Sequence, residues 1–400
     1  MRMIVVEPDG SGGMVHYAFQ MCSALAEAGA DVTLVTSRHY ELAGMDAPFR
    51  VAPIMRLWPA IEPAARHHGL ARLFVWAGHK LRRAERGVRY AREWARATRF
   101  ILREKPDIAQ FAIIRFPFLA WFLRRIVRAG IPISQVCHEF EPRESRGPFQ
   151  ALHRSMTRAA YGYFSVIFLH GEANRARFLE LYPAEAARTV VIPHGDEGLF
   201  LRSEDPGGDL RERYGIAAGK PTALFFGGLR PSKGLDELID AFALASREID
   251  AHLVVAGPPA GVDPAHLEHR VARRAVSGRV TIDARYLPFE EVGPLMRTAD
   301  VVVLPYRSAT ASGVLQVAYA YGRPVIASEL GSLAEDVVHG ETGLLVAPGD
   351  VPGLASAMVK LLGDPAESTR MGACAARAAD RYTWPPIART ILGVYGGVAK

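Results

Sequence analysis

The chain has 400 residues, of which 49% are hydrophobic and 22% charged, so it can bury the cores of two domains of roughly 150–200 residues each. Its three cysteines (Cys22, Cys137 and Cys374) are far apart and form no C-x-x-C pair, which argues against a disulfide framework or structural zinc and fits a reducing cytoplasm. No segment approaches about 18 consecutive apolar residues, and the first apolar run is too short for a secretory signal, so neither a membrane span nor secretion is expected.

The first elements predict a doubly wound α/β domain. Strand, glycine loop, helix and strand follow one another at residues 3–6, 8–13, 15–28 and 31–36. In this loop, Gly12 and Gly13 either let the backbone approach a ligand closely or serve a tight turn only. The glycine spacing does not fit a dinucleotide fingerprint, and no ribose-binding acid follows the second strand.

Residues 72–105 carry the basic charge of the chain. They hold 11 lysines and arginines against three glutamates, a net +8 within a chain of net +6. Apolar and small residues recur there at helical spacing, so the segment is predicted to be an amphipathic basic helix. Trp76 and Trp94 beside the arginines favour contact with an anionic membrane, and a solvated outer helix face is the alternative. Because no RNA-binding motif accompanies the segment, nucleic acid is not an expected partner.

A histidine ends a later strand of the first half. Residues 131–138 predict a strand that finishes at His138, and residues 163–169 and 190–192 predict two more. Ligands of open parallel sheets bind at the carboxyl ends of the strands, so a functional role for His138 is favoured there. A core or capping histidine is the alternative.

The second half repeats the alternation of strand and helix. Strands are predicted at residues 222–226, 253–256, 280–282, 301–304, 325–327 and 343–346, and helices at residues 235–245, 289–297, 314–321 and 351–362. Gly227 and Gly228 follow the first of these strands, and Ser312 and Gly313 precede the helix after the fourth. A helix N-terminus at the carboxyl end of a parallel strand presents free N–H groups and a positive dipole end, so we predict an anion site there.

These segments resemble the retaining glycosyltransferases of family 4. The resemblance rests on VVIPHG at residues 190–195, on GGLRPSKG at residues 227–234, and on the run from residue 299 to residue 346, and it covers nearly the whole chain in order. It implies an α/β GT-B fold of two Rossmann-like domains. The acceptor-side domain would comprise residues 1–200 with a returning helix at 384–400, and the donor-binding domain residues 201–383.

The resemblance implies transfer of a hexose from a nucleoside diphosphate sugar to an acceptor, with retention at the anomeric carbon. In the front-face mechanism proposed for such enzymes, the leaving phosphate helps to deprotonate the acceptor, and the protein stabilises the charge that grows on the diphosphate. No two aspartates are separated by a single residue, so the D-x-D metal motif of the other main glycosyltransferase fold is absent. Neither a metal nor another cofactor is expected.

The resemblance also implies the site residues. Lys233 and Arg230 would grip the diphosphate, with Arg230 serving because Gly228 stands at the usual arginine position. His138 would contact the sugar near the reacting carbon, whereas His194 would be structural. The donor-binding residues would be Gly12, Gly13, Gly227, Gly228, Ser312, Gly313, Val314 and Gln316.

The sequence departs from the family at two positions. The two glutamates that usually hold the sugar and the ribose are replaced by Ala309 and Val317. The nearest polar candidates are Ser308, Thr310, Ser312 and Gln316. This loss keeps open a non-catalytic relative that binds a nucleotide or a partner, and an epimerase or phosphorylase-like enzyme on the same scaffold is a further alternative.

The acceptor is expected to be a lipid-linked glycan or an exopolysaccharide precursor if the basic segment 72–105 attaches to a membrane. The expected location is then the cytoplasm, peripheral to the inner face of the membrane. A natural-product aglycone is the soluble alternative.

Overall fold

The computed structural model describes residues 1–57, 72–112, 116, 118–140, 150–201 and 208–398, and at residues 72–84 and 150–154 it describes the backbone alone. The chain forms two compact units. The first comprises Met1–Leu169, Arg175–Ile192 and Trp384–Lys400, and the second His170–Asn174 and Pro193–Thr383. Sequence analysis set the division after residue 200, and the units divide at Ile192 and again at Thr383.

The elements up to Ile192 are β1 (Arg2–Val6), α1 (Gly13–Glu27), β2 (Asp31–Ser37), β3 (Arg50–Met55), α2 (Arg72–Glu104), β4 (Ile108–Phe111), α3 (Leu119–Arg128), β5 (Ile133–Val136), α4 (Gln150–Tyr161), β6 (Val166–His170), α5 (Glu172–Leu181) and β7 (Thr189–Ile192). Those that follow are β8 (Thr222–Phe226), α6 (Leu235–Ala245), β9 (His252–Ala256), α7 (Pro264–Arg273), β10 (Val280–Asp283), α8 (Phe289–Thr298), β11 (Val301–Leu304), α9 (Gly313–Ala320), β12 (Val325–Ser328), α10 (Leu333–Asp336), β13 (Gly343–Val346), α11 (Val351–Gly363), α12 (Pro365–Ala378) and α13 (Trp384–Val398).

The first unit contains a seven-stranded sheet in the order β3-β2-β1-β4-β5-β6-β7. The pairs from β3 through to β6 are parallel. The strand order reverses between β1 and β4, which is the point where open α/β sheets bind their ligands, beyond the carboxyl ends of the strands.

Two consecutive residues of β4 show how helices cover both faces of this sheet, because successive side chains of a strand point to opposite faces. Phe111 stacks on Trp94 of α2, with the ring centroids 5.6 Å apart. On the other face, Gln110 bonds to Met21 of α1 and accepts a 2.6 Å hydrogen bond from the Tyr395 hydroxyl of α13. The C-terminal helix α13 is therefore part of the core of the first unit.

The predicted basic helix is confirmed as α2, which spans 33 residues. The position expected for Trp94 is wrong: this side chain is 1% exposed, because it fills the layer between α2 and β4. Trp76, its expected neighbour, lies outside the described side chains. Among the described residues, no helix combines the length and hydropathy that crossing a bilayer requires.

The second unit contains a six-stranded sheet in the order β10-β9-β8-β11-β12-β13, with every neighbouring pair parallel. Its order reverses between β8 and β11, as the first sheet does between β1 and β4. The strands β9, β11 and β12 are fully buried, as expected where helices cover both faces. Two doubly wound parallel sheets confirm the predicted α/β fold.

Five elements were not predicted from the sequence, namely β3, α4, α7, α10 and α12. The edge strand β3 contains Pro53, which interrupts the strand pattern. The helices α7 and α12 each begin with a capping aspartate followed by proline, a start signal that was available in the sequence.

We predict that Tyr395→Phe destabilises the first unit. The buried Tyr395 hydroxyl lies 2.7 Å from Ser134 Oγ and donates to Gln110 Oε1, so the variant leaves two buried polar groups short of a partner. The expected loss in the free energy of unfolding is about 1–3 kcal/mol. Urea denaturation measures the free energy of unfolding. The control is Tyr163→Phe, which removes the hydroxyl of a half-buried tyrosine. Equal stability of the two variants would contradict the prediction.

Candidate functional site

The loops that follow β8 and β11 meet at the reversal point of the second sheet. The two strands are neighbours, with Val302 beside Leu224. The Arg307 amide donates a 2.8 Å hydrogen bond to the Ser232 carbonyl, which joins one loop to the other. The two predicted parts of the anion site are thus adjacent in the second unit.

Gly234 sets the distance between these loops. Its φ is +65°, and a Cβ atom at this position would lie 1.9 Å from the Pro305 carbonyl oxygen. Only glycine accepts both the left-handed conformation and this close approach without strain. Gly234 directly follows the 3₁₀ helix Pro231–Lys233 and is the N-cap of α6, so the contact fixes where that short helix ends.

Lys233 is held over an aromatic ring. Its Nζ lies 3.4 Å from the ring centroid of Tyr306, which is 1% exposed and directly follows β11 and Pro305. This distance is well within the range of a cation–π interaction. The carboxylate of Glu237, one turn into α6, is paired with Arg307 instead. Within the described part of the chain, Lys233 has no carboxylate partner.

Arg230 lies on the same loop and is exposed. Its Nε is 3.7 Å from the position that a Cβ atom of Gly228 would occupy, so the guanidinium lies over the backbone of the residue at the family's usual arginine position. Arg230, Gly228 and Lys233 thus lie on one loop, and the expected grip of Arg230 and Lys233 on a diphosphate stays a prediction.

The N-terminus of α9 lies next to this loop. A Cβ atom at Gly227 would be 3.8 Å from the Val314 side chain, and the Tyr306 hydroxyl is 3.3 Å from Ser312 Oγ. Ser312 precedes the helix without capping it through its side chain. The first-turn N–H groups of Gly313 and Val314 have no partner within the helix, because such a partner would precede it.

His194 of the VVIPHG segment and Glu197, two residues after it, flank the same helix end. Glu197 Oε1 lies 3.4 Å, and the His194 ring 3.5 Å, from the position of a Cβ atom at Gly313. Burial lowers the pKa of His194 to about 4, so this imidazole is neutral at pH 7 and adds no charge to the site. Since Glu197 is already an acidic group at the positive end of α9, an anionic ligand there depends on Lys233 and Arg230 for charge balance.

Gln316 is the predicted residue with the most unusual environment. It is 1% exposed, and neither its Oε1 nor its Nε2 has a hydrogen-bond partner within the described residues. Helical side chains lean toward the N-terminus of their helix, and one turn earlier stands Gly313, which has no side chain to block the way. We therefore expect the amide to lie toward the end of α9 that carries the free N–H groups.

In the first unit, the glycine loop after β1 is bound to a carboxylate. The Gly12 amide donates a 2.6 Å hydrogen bond to Glu41 Oε1, and His16 Nε2 lies 2.6 Å from the same oxygen. The Glu41 amide in turn donates to the Gly10 carbonyl at 2.9 Å. Gly13 begins α1, and the space around its Cα is open.

His138 follows β5 by two residues, at the carboxyl edge of the first sheet. Its half-buried ring packs edge-to-face on Tyr17 of α1, with the centroids 4.4 Å apart, and Tyr17 packs on Trp384, the first residue of α13, at 5.0 Å. The first unit therefore holds His138 in a fixed orientation. Its expected role beside the sugar stays a prediction.

Sequence analysis missed three residues of these sites: Tyr306, Glu197 and Glu41. Tyr306 had a signal, because it lies two residues beyond a buried parallel strand, where ligand-facing groups are found. Glu41 had none, since it lies 29 positions from the glycine whose amide it binds.

Comparison with known proteins identifies the family. A family model described as Glycosyltransferase Family 4 matches residues 11–195, and one described as Glycosyl transferases group 1 matches residues 220–364. The chain belongs to the family 4 glycosyltransferases. This confirms the resemblance seen in the sequence.

Two relatives of this family 4 chain are named D-inositol 3-phosphate glycosyltransferase. That of Nocardia farcinica is 34% identical over 230 residues, which cover 56% of this chain and 51% of the relative. That of Corynebacterium efficiens is 26% identical over 406 residues, which cover 96% and 90%. The chain thus matches about half the length of the Nocardia relative.

Among solved structures, Anabaena HepE in complex with UDP-glucose is similar over 99% of this family 4 chain and 100% of that one, with a TM-score of 0.74 at 18% identity. Together with the two doubly wound sheets, this likeness shows the GT-B fold.

We predict that Gly234→Ala lowers the free energy of unfolding of the second unit. The loss should exceed the cost of about 1–2 kcal/mol for an alanine in the left-handed conformation. The additional cost arises because the new Cβ atom forces the Pro305 carbonyl away. Gly219→Ala is the matched control: its φ is +74°, and no atom lies within 4 Å of the added Cβ. The free energies of unfolding in urea compare the two, and equal losses would show that the loop contact adds nothing.

Proposed function

We propose that this family 4 chain transfers a hexose from a nucleoside diphosphate sugar to an acceptor hydroxyl with retention of anomeric configuration. The observation that carries the proposal is Lys233, a cation held by the Tyr306 ring at the reversal point of the second sheet and not neutralised by a carboxylate of the described residues. A diphosphate is the ligand that such a charge, beside free helix N–H groups, is suited to bind.

In this proposal the second unit stabilises the leaving group. Negative charge grows on the diphosphate as the bond to the sugar breaks, and the ammonium of Lys233, the guanidinium of Arg230 and the amides of Gly313 and Val314 are positioned before the reaction begins. The leaving phosphate oxygen takes the proton of the acceptor hydroxyl while the new glycosidic bond forms on the same face of the sugar. No protein side chain has to become covalently attached.

Gln316 takes part of the role of the missing glutamates. An amide both donates and accepts, so it can bind a hydroxyl group of the donor and, unlike a carboxylate, leaves the charge of Lys233 uncompensated. A buried amide without a partner costs about 1–3 kcal/mol, and a bound hydroxyl group would recover part of that cost. With Ala309 and Val317 apolar or small, this amide is the main candidate for donor selectivity.

The glycine loop of the first unit then serves the acceptor side. Its Gly12 amide is already engaged with Glu41, and a phosphate at the N-terminus of α1 would meet that carboxylate. We therefore assign the diphosphate to the second unit alone. Gly13, with open space around it, is where the backbone can come close to an acceptor.

For the acceptor we propose a lipid-linked glycan or an exopolysaccharide precursor, because the strongly basic segment 72–105 favours an anionic membrane surface. In the described half of α2, Arg96 pairs with Glu93 and bonds to the Ile54 carbonyl, and Arg103 pairs with Glu104, so only part of the predicted basic face remains for a membrane. A soluble aglycone is the alternative acceptor.

A nucleotide panel tests the donor site. We predict that one nucleoside diphosphate raises the melting temperature clearly, because a ligand at about 100 times its Kd adds roughly 2.7 kcal/mol to the free energy of unfolding. The variant Lys233→Ala should shift less at the same concentration, and its turnover with the matching nucleotide-sugar should fall at least about tenfold. Differential scanning fluorimetry and nucleoside diphosphate release measure the two effects.

Lys360→Ala is the control, since it removes the same charge from an exposed lysine of α11. No shift with any nucleotide, or equal turnover of the two lysine variants, would overturn the proposal. A clear shift without turnover would favour the non-catalytic relative, which the two missing glutamates motivate.

We also predict that removal of divalent ions with EDTA leaves the turnover unchanged. The cations of Lys233 and Arg230 and the helix N–H groups supply the positive charge that a metal ion provides in sites built on a D-x-D motif. Turnover before and after chelation, with and without added Mg²⁺, is the measurement. A loss that added Mg²⁺ restores would contradict metal independence.

A further inference from the structure

The outer face of α3 combines exposed tryptophan with arginine. Trp121, Arg124, Arg125 and Arg128 are all exposed, whereas Leu119, Phe122, Leu123 and Ile126 are buried. The spacing i, i+3, i+4 and i+7 places the first four on one side of the helix. We call these four residues the α3 face. It carries three arginines and no acidic residue, and within the described part of the chain none of these arginines has a carboxylate partner.

An exposed aromatic side chain also precedes α3. Trp121 is 62% exposed, and Phe116, just before α3, is 42% exposed. Phe116 links α3 to α2, because its ring lies 5.1 Å from that of Tyr90 of α2. These two are among the six large apolar side chains that the described residues leave more than a third exposed. Exposed apolar groups gathered in this way mark an interaction surface.

We infer that the α3 face, together with Phe116, docks the first unit on an anionic lipid bilayer. The arginines match the negative surface potential of anionic headgroups, and tryptophan is the side chain that prefers the boundary between headgroups and acyl chains. Two signals, charge and apolar burial, are what stable peripheral binding requires.

This inference relocates the membrane surface expected from the sequence. Trp94 is in the core, and Arg96 and Arg103 bind within the protein. The aromatic anchor comes instead from Trp121 of α3.

Docking through α3 also bears on the acceptor. Only this link to the acceptor rests on the proposed function. Because α3 runs from the end of β4 back to the start of β5, its first residues lie at the carboxyl edge of the first sheet. Trp121 and Phe116 are therefore on the edge that carries the glycine loop and His138. A unit docked through them holds its acceptor-side residues near the bilayer, which suits an acceptor with a membrane-embedded lipid.

The test is sedimentation of the full chain with phosphatidylcholine vesicles that contain phosphatidylglycerol. We expect binding at low salt that weakens as salt is added. The triple variant Arg124→Gln, Arg125→Gln, Arg128→Gln should bind about a hundredfold more weakly, at roughly fivefold per arginine close to the surface. The triple Arg247→Gln, Arg273→Gln, Arg389→Gln removes the same charge from exposed arginines elsewhere and should change binding little.

Trp121→Gln separates the apolar signal from the charge. This variant should weaken binding at low and high salt alike, because the lost contribution is not electrostatic. Melting temperatures in the absence of vesicles check that each variant folds.

Three results would overturn the inference: no sedimentation of the unaltered chain with the anionic vesicles, equal effects of the two arginine triples, or unchanged binding of Trp121→Gln. The rise in melting temperature with a nucleoside diphosphate tests the donor site separately. The α3 variants should keep this rise. If the chain binds vesicles but no nucleotide, the donor site is contradicted and the lipid surface is not.

Discussion

The contact between Gly234 and the Pro305 carbonyl is the constraint on which the second unit's site depends. It brings the loop after β8 against the loop after β11, at the one place in the sheet where neighbouring crossovers diverge. Because a side chain at residue 234 would separate the loops, the contact also decides that Lys233 lies over Tyr306. A cation is thereby fixed at the end of a parallel sheet by backbone packing and not by an opposite charge.

This arrangement supports the proposed donor site, which lacks the two glutamates usual in the family. A carboxylate near Lys233 would lower the attraction for a diphosphate, whereas the ring of Tyr306 holds the ammonium and leaves its net charge intact. Glu237, in the first turn of α6, is paired with Arg307, and the neutral His194 adds no charge. In the proposed function, Lys233 and Arg230 offset Glu197 at the start of α9, and selectivity for the sugar is assigned to groups such as the Gln316 amide.

The first unit uses its polar groups differently. Its glycine loop is closed by Glu41, and its core contains the bonds from Tyr395 to Gln110 and Ser134, which tie the end of the chain to the sheet. A rigid unit of this kind supports the proposed acceptor side and the lipid surface inferred for α3. The two units share a topology, but only the second has an unpaired cation within the described residues of its strand-reversal loops.

The sequence by itself determined the alternation of strands and helices. The reason is that buried parallel strands are continuous apolar runs and glycines mark the loops that follow them. Thus β11 was predicted at Val301–Leu304 and α6 at Leu235–Ala245, as observed. The family resemblance assigned Lys233 and Arg230 to the donor site with Ser312, and strand order puts the loops that carry them side by side. Only the tertiary structure decided which side chains are partners across long separations, as with Glu41 and Gly12, and which face of a helix is buried, as with Trp94 and Trp121. Periodicity gives the faces of a helix, but the neighbours that cover one of them are set by packing.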